Sequence, residues 1–343
     1  MRFALTDDQA ALRDAVRELL TRECPPDAVR AAWPGPGTDP DRVAAIWAKL
    51  AEMGVLGAAV PEADGGLGLG ACDLVPLLEE AGRVALPLPL VETAFVAAPL
   101  LAATGAQDEL LGRLVAGEAI VAVSLDGSGL VPFAGVAEVL LLGAGPGAAI
   151  GLSPAAAAEP VDSIDGARGL GRADAEAPAT PLDLDPRERD GAWDRGVLGA
   201  AAQLVGLSRT LLALSDEYVK ERRQFGVPIG SFQAVKHQLA DALLALEFAA
   251  PMVLRAAWSL DHGEPTASRN VAAAKALASD AAEQVAATAL QVHGAIAYTT
   301  EYDLHLFAKR VWASARAWGD AEWQRARVAA ALDLNPASAV PLP

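Results

Sequence analysis

Aromatic residues make up only 5% of this 343-residue chain, and cysteine and histidine are scarcer still. Two cysteines, Cys24 and Cys72, cannot build a disulfide framework or a thiolate metal site. The four histidines, His237, His262, His293 and His305, show no metal-ligand spacing. Positive charge is also short. Lys and Arg number 27 against 44 Asp and Glu, a formal net charge of −17, which argues against nonspecific binding to nucleic acid or anionic membranes. Charges break the long alanine runs, leaving no uninterrupted apolar span of bilayer length. Residues 1–5 run directly into a helix start with no signal-peptide core. The chain therefore reads as soluble and cytoplasmic.

What is abundant is small and aliphatic. A 52% apolar composition rich in alanine favours closely packed helices over sheets. A chain of this length can bury a large core divided among two or three domains. Thr6-Asp7-Asp8-Gln9 is a capping box that predicts an amphipathic helix to about Leu20. A Pro/Gly-rich break over 24–40 leads to a helix over 40–53, a flexible Gly-rich loop over 60–70, and helices from Asp73 to Arg83 and on through Leu114. After Glu118, short apolar runs at 119–125 and 136–142 alternate with Gly, Pro and Asp clusters and predict short strands up to about Leu184. From about Asp190 helical periodicity returns over 191–223, 231–261, 266–293 and 303–332, with Pro251 expected to kink the second helix. The expected fold is mainly α with a small β domain. It comprises an N-terminal helical domain (1–118), a reduced β domain (119–189), a C-terminal four-helix bundle (190–335) and a tail (336–343).

Three segments invite a functional reading. Glu221-Arg222-Arg223-Gln224-Phe225-Gly226-Val227-Pro228-Ile229-Gly230-Ser231-Phe232-Gln233 places two fixed positive charges beside an aromatic ring on a helix-turn-helix. That pattern suits a ligand bearing phosphate and a flat ring; the plainer alternative is a helix C-terminus whose cations complement the dipole. Gln291-Val292-His293-Gly294-Ala295-Ile296-Ala297-Tyr298 ends a helix in a small-residue turn, where the Gly294 N–H is a candidate anion contact and Gln291 a further donor. The plainer alternative is a glycine C-cap. Leu141-Leu142-Gly143-Ala144-Gly145-Pro146-Gly147-Ala148 has the glycines of a dinucleotide-binding loop. Pro146, the missing long helix and the missing acidic residue favour a hairpin turn instead.

Taken together, these segments resemble the acyl-CoA dehydrogenase family. Arg222 to Gln233 is similar to its R-x-Q-F-G…Q signature. Gln291 to Tyr298 is similar to its Q-x-x-G-G-x-G-[YF] element, with Ala295 and Ala297 at the second and third glycines. Residues 60–68 match its P-E-x-x-G-G-x-G loop. The resemblance implies a flavoprotein. Arg222 would pair with the FAD pyrophosphate, Phe225 would pack beside the cofactor, Gln224, Gln233 and Gln291 would donate hydrogen bonds, and the Gly294 N–H would face phosphate.

The pattern fails where the chemistry should be. The family's usual glutamate base aligns with Trp318, which cannot accept a proton. The alternative base position on the first bundle helix aligns with Gly196, followed by Val197 where an Arg stands in the family. The T-E-P-x-x-G-S-D element is replaced by residues 123–129, and no W-I-T element is present. No residue is therefore assigned as catalytic base. The chain is similar to the short subunit of two-component, α2β2 actinobacterial acyl-CoA dehydrogenases acting on steroid side-chain CoA thioesters. That likeness implies a second subunit carrying the glutamate and most of the acyl-CoA contacts. Two other readings stay open. One is a self-sufficient enzyme with a relocated acid, Asp320 first, with Asp194, Glu247 and Glu301 behind it. The other is a flavin-free structural subunit.

Overall fold

The computed structural model describes residues 3–334, and the expected tail over 336–343 lies outside them. The N-terminal third is helical: α1 (Asp7–Glu23), α2 (Pro26–Ala31), α3 (Pro40–Glu52), α4 (Ala71–Arg83), α5 (Ala98–Thr104) and α6 (Asp108–Val115). The expected capping box opens α1, with the Gln9 N–H donating to Thr6 Oγ1 at 3.2 Å and the Thr6 N–H to Gln9 Oε1 at 3.0 Å. The 60–70 loop is not the flexible segment expected. Leu67 N–H donates to Gly57 O, Gly68 N–H to Val60 O and Leu69 N–H to Ala58 O, closing it onto the preceding turn. A wide π-helical turn, Val91–Ala97, leads into α5 and is wholly buried.

The middle region holds two small sheets. One has the order β1 (Val121–Ser124), β3 (Val139–Gly143), β4 (Ile150–Pro154) and β7 (Thr180–Pro181); β1 and β3 are parallel and the other pairs antiparallel. The other joins β2 (Leu130–Val131), β6 (Gly171–Arg172) and β5 (Glu159–Pro160). The β3–β4 hairpin turns through Ala144 to Ala149, so the glycine run there is a turn and not a phosphate loop.

The bundle consists of α7 (Pro186–Glu221), α8 (Gln233–Asp261), α9 (Ala267–His293), α10 (Leu304–Arg316) and α11 (Ala321–Ala331). Helix α7 starts at Pro186, ahead of the expected Asp190, because Asp185 and Glu188 form a second capping box. Its 36 residues span about 54 Å. An 18-residue window of α7 is apolar enough to cross a membrane by composition, contrary to the expectation that no such span exists. Two-thirds of that window (67%) is buried inside the protein, as befits the central helix of a bundle. Helix α4 crosses α7 at glycines: a Cβ on Gly206 would fall 1.9 Å from Glu79 O, and one on Gly82 2.2 Å from Gln203 O. Helix α8 runs unbroken in its assigned span across Pro251. The expected fourth helix is two helices, parted where Trp318 and Gly319 take positive φ (61° and 81°).

Candidate functional site

The up-down-up course of α7, α8 and α9 gathers the segments singled out in the sequence at one end of the bundle. Arg222 is the C-cap of α7, and its N–H donates to Tyr218 O at 2.8 Å. Tyr218 stacks on His293 at the end of α9, with ring centroids 4.3 Å apart, and donates from its hydroxyl to His293 O at 3.3 Å. Burial lowers the His293 pKa, opposed by the hydrogen bond to Ala289 O. The neutral ring then donates from Nδ1 to Ala289 O at 2.7 Å, leaving Nε2 to accept from the Tyr302 hydroxyl at 3.3 Å. This stack is a pin that joins the Arg222 end of α7 to the Gln291–Gly294 end of α9.

Beyond Arg222 the chain makes a hairpin, β8 (Arg223–Gln224) against β9 (Val227–Pro228), turned by Phe225 and Gly226. Both take positive φ (51° and 82°), as a tight two-residue turn between twisted strands requires. Glycine meets that demand without cost, whereas Phe225 is strained and 91% exposed. Its ring stands edge-on to Phe232, with centroids 6.2 Å apart. Arg222, Gln224, Gln233 and Gln291 are exposed too, and among the described residues none of these side chains has a hydrogen-bond or ion-pair partner. Gly294 differs from its expected role. Its N–H donates to Leu290 O as the C-cap of α9, so in this conformation it is not available to phosphate.

An apolar surface continues from this end along α8. Leu243, Leu244 and Phe248 are exposed (48%, 56% and 68%), beside Val227, Phe232, Ile296 and Tyr298 near the turns. Helix α8 buries Ala242, Leu246, Ala249 and Val253 against the bundle and leaves this second apolar face uncovered. Exposed apolar patches of this kind mark interaction surfaces.

The second region lies where a base is expected. Trp318 and Gly196 face each other: a Cβ on Gly196 would fall 2.4 Å from the Trp318 ring carbons. The two base positions implied by the resemblance therefore converge on one point, and the indole fills it. Trp318 is only 6% exposed and packs edge-on against Trp193, 5.6 Å between centroids, while Trp193 packs likewise on Trp323 at 5.5 Å. Gln324 donates to Trp318 O at 2.6 Å. Beneath the turn lies Lys275, fully buried, donating from Nζ to Ser279 Oγ and Ala315 O at 3.0 Å and to Gly319 O at 3.2 Å. Burial pushes its pKa down to about 7.

The acids weighed as relocated bases are engaged structurally or lie on the surface. Asp320 caps α11, accepting the Trp323 N–H at 2.9 Å, and stands 3.4 Å from Arg316. Asp194 is buried and accepts from Ser268 at 3.1 Å and Arg327 at 3.2 Å. Glu247 is exposed and pairs with Arg209 at 3.3 Å, and Glu301 is exposed. Of these, Asp320 lines a cleft of about 690 Å³ between the β region and α10, together with Ser124, Asp126, Arg168, Trp312 and Trp318 among others. Two groups here escaped the sequence reading. Lys275 was detectable as a lone charge on the apolar stripe of α9, whereas Arg168 sits in an irregular loop that gave no pattern. Among the described residues no His, Cys, Asp and Glu group is arranged to hold a metal.

Comparison with known proteins accords with this geometry. Residues 6–118 match the acyl-CoA dehydrogenase N-terminal domain, and residues 192–332 match the C-terminal domain of the same family. The chain is 34% identical over 311 residues to the acyl-CoA dehydrogenase IpdE2 of Mycobacterium tuberculosis, covering 90% of this chain and 92% of that one. It is 31% identical to IpdE2 of Mycolicibacterium smegmatis, covering 95% and 99%. Among solved structures, the ChsE4–ChsE5 complex from M. tuberculosis aligns with a TM-score of 0.84 at 26% identity, covering 98% of this chain and 100% of that one. The Tcur3481–Tcur3483 steroid ACAD aligns with a TM-score of 0.83 at 28% identity, covering 97% and 99%.

Proposed function

Given that this chain belongs to the acyl-CoA dehydrogenase family, oxidoreductases acting on CH–CH bonds, we propose that it is the base-lacking subunit of a hetero-oligomeric, FAD-dependent member. In this reading bound FAD would supply the acceptor for a hydride from the acyl β-carbon, and a second acyl-CoA dehydrogenase subunit supplies the glutamate and most acyl-CoA contacts. Arg222 holds the cofactor pyrophosphate, Phe225 covers its flat part, and Gln224, Gln233 and Gln291 donate hydrogen bonds. An α2β2 assembly is the expected stoichiometry, and a steroid side-chain CoA thioester the expected substrate class.

The observation that carries this reading is the pairing of an unused cation with a filled base position. Arg222 and Phe225 stand exposed beside an uncovered apolar face, while the Trp318 indole occupies the space at Gly196. A fixed guanidinium suits a pyrophosphate, and an exposed arginine with no partner among the described residues is free to take one. The complete matched chains are described as a two-protein complex and a paired steroid enzyme, which favours the same assembly. The engagement of Asp320 as a helix cap weighs against a self-sufficient enzyme.

Arg222→Ala tests this. In the complex co-purified with a glutamate-bearing partner, the substitution is expected to weaken FAD retention roughly 10- to 100-fold, the value of a charge-assisted contact. Unchanged retention would favour the flavin-free structural subunit. Asp320→Asn is expected to leave turnover of the complex intact, and a collapse of turnover would revive the relocated base.

A further inference from the structure

We infer that His293 is a positioning residue for the cofactor contacts, acting with Tyr218 and Tyr302 to hold Arg222 and Gln291 at a set spacing. The inference rests on the shared-cofactor reading. Helices α7 and α9 lie side by side, and the buried residues of α9 are mostly alanine, with Ala274, Ala278, Ala282 and Ala289 in the core. Small side chains allow close approach but give shallow ridges, which leave the rotation of one helix against the other weakly fixed. Directional links sit at the two ends of the pair. Ser268 donates to Asp194 at 3.1 Å where the helices begin, and Tyr218 donates to His293 O at 3.3 Å where they finish. Among the described residues no other side-chain hydrogen bond joins α7 to α9.

At the finishing end three rings from three segments close on one another. Tyr218 and His293 stack at 24° with centroids 4.3 Å apart, His293 and Tyr302 lie 5.2 Å apart, and Tyr218 and Tyr302 6.2 Å apart. His293 is 4% exposed, although Gln291, Gly294, Ala295 and Ile296 around it are exposed. An apolar ring would fill the same volume. The imidazole adds bonds in two directions, to Ala289 O on its own helix and from the Tyr302 hydroxyl on the chain that enters α10. Arg30 of α2 anchors that chain again, pairing with Asp303 and donating to Thr300 O at 3.4 Å. Each cofactor contact branches from the backbone close to a ring. Arg222 follows Tyr218 by one turn and donates its N–H to Tyr218 O, and Gln291 stands two residues before His293. Ile229 N–H also holds Arg222 O at 2.8 Å, but that bond ties the hairpin to α7 and leaves α9 free. With no partner on either contact side chain, the ring cluster is what relates Arg222 to Gln291.

Hydrogen exchange of the isolated full chain tests the ring cluster without cofactor. His293→Leu is expected to speed exchange roughly 10-fold or more in both segments that carry the contacts, 218–224 and 289–303. Faster exchange in 289–303 alone would overturn the inference, because the ring would then serve only its own helix. FAD retention in the complex with a glutamate-bearing partner tests the consequence. Arg222→Ala should weaken retention roughly 10- to 100-fold in the wild-type background but less than about 3-fold beside His293→Leu, since a displaced guanidinium has little left to lose. Equal losses in the two backgrounds would refute positioning and leave the shared-cofactor reading standing. No loss in either background would refute both. Should His293→Leu not fold, Tyr218→Leu removes the stack from the α7 side and is expected to give the same pair of changes, with Tyr218→Phe, which keeps the ring, reversing them. Unchanged exchange over 289–303 in Tyr218→Leu would overturn the inference.

Discussion

The two ends of this molecule treat their side chains in opposite ways. At the bundle end, Arg222, Gln224, Gln233 and Gln291 are exposed and among the described residues their side chains have no hydrogen-bond partner, while the hairpin beside them holds the exposed Phe225 in a strained conformation. At the turn between α10 and α11, every feature works inward. Trp318 fills the space at Gly196, Gln324 holds its carbonyl, and a buried lysine ties down the carbonyls around it. Strain in a residue that stays 91% exposed points to a partner outside its own chain. Dense packing at a position where the sequence resemblance implies a carboxylate points to structure in place of proton transfer. One region has polar groups without partners among the described residues, and in the other an indole fills the space beside Gly196.

That contrast should break first at Trp318. Removing the indole leaves a cavity in a tight aromatic cluster, so Trp318→Ala is expected to cost about 3–5 kcal/mol. Chemical denaturation measures it, and a cost below about 1 kcal/mol would mean the ring is not a filler.

Lys275 should show the same closure through pH. Its folded pKa of about 7 lies below the ordinary lysine value of 10.5. Below pH 7 both folded and unfolded states carry the proton, and the burial penalty is present in full. Above pH 7 the folded state has released it while the unfolded state still holds it, so stability rises with pH, by up to about 1.4 kcal/mol per unit. Cys24 and Cys72, both pushed up to about 12 by burial, reverse the trend from about pH 9. The window from pH 7 to 9 is therefore the diagnostic one, and Lys275→Met should lack the rise there. Parallel stability profiles for the two proteins would remove Lys275 from the account.

Gly196→Ala drives a methyl into the Trp318 ring and is expected to cost about 1–3 kcal/mol. Combined with Trp318→Ala it should cost less than the two separately, since the methyl then enters the vacated space. Simple additivity would show that the two positions do not share it.

Phe225→Ala marks the small end of the scale. With the ring almost wholly exposed, stability is expected to move by less than about 0.5 kcal/mol. Cofactor retention in the assembled complex should nonetheless fall, and a large stability loss with unchanged retention would reverse the roles assigned to the two regions.

Much of this was legible in the sequence, for reasons that differ by element. The capping box at Thr6 and the amphipathic periods fixed helices because local hydrogen bonds and burial agree there. Pro146 and the glycines around it marked the β3–β4 hairpin correctly. The break at Trp318 was not legible, since it rests on a tryptophan at positive φ in a turn whose carbonyls are held by Lys275 and Gln324, one from a distant helix and one from beyond the turn. The start of α7 is legible in Asp185-Pro186-Arg187-Glu188, although the stronger apolar period begins later. The availability of the Gly294 N–H could not be read from a motif, because a glycine C-cap and an anion contact share the same residues. Arg168 was hidden for a deeper reason: it sits in an irregular loop that packs against α2 and is tied to α10 by the Asp165–Arg310 pair, and no period records such packing.

The most direct measurement is flavin content per chain, first for this protein alone and then for its complex with a glutamate-bearing acyl-CoA dehydrogenase subunit. The account predicts little flavin in the isolated protein and one FAD per pair of unlike chains. One FAD per chain in the isolated protein would contradict it, and would mean that this chain holds a complete flavin site of its own.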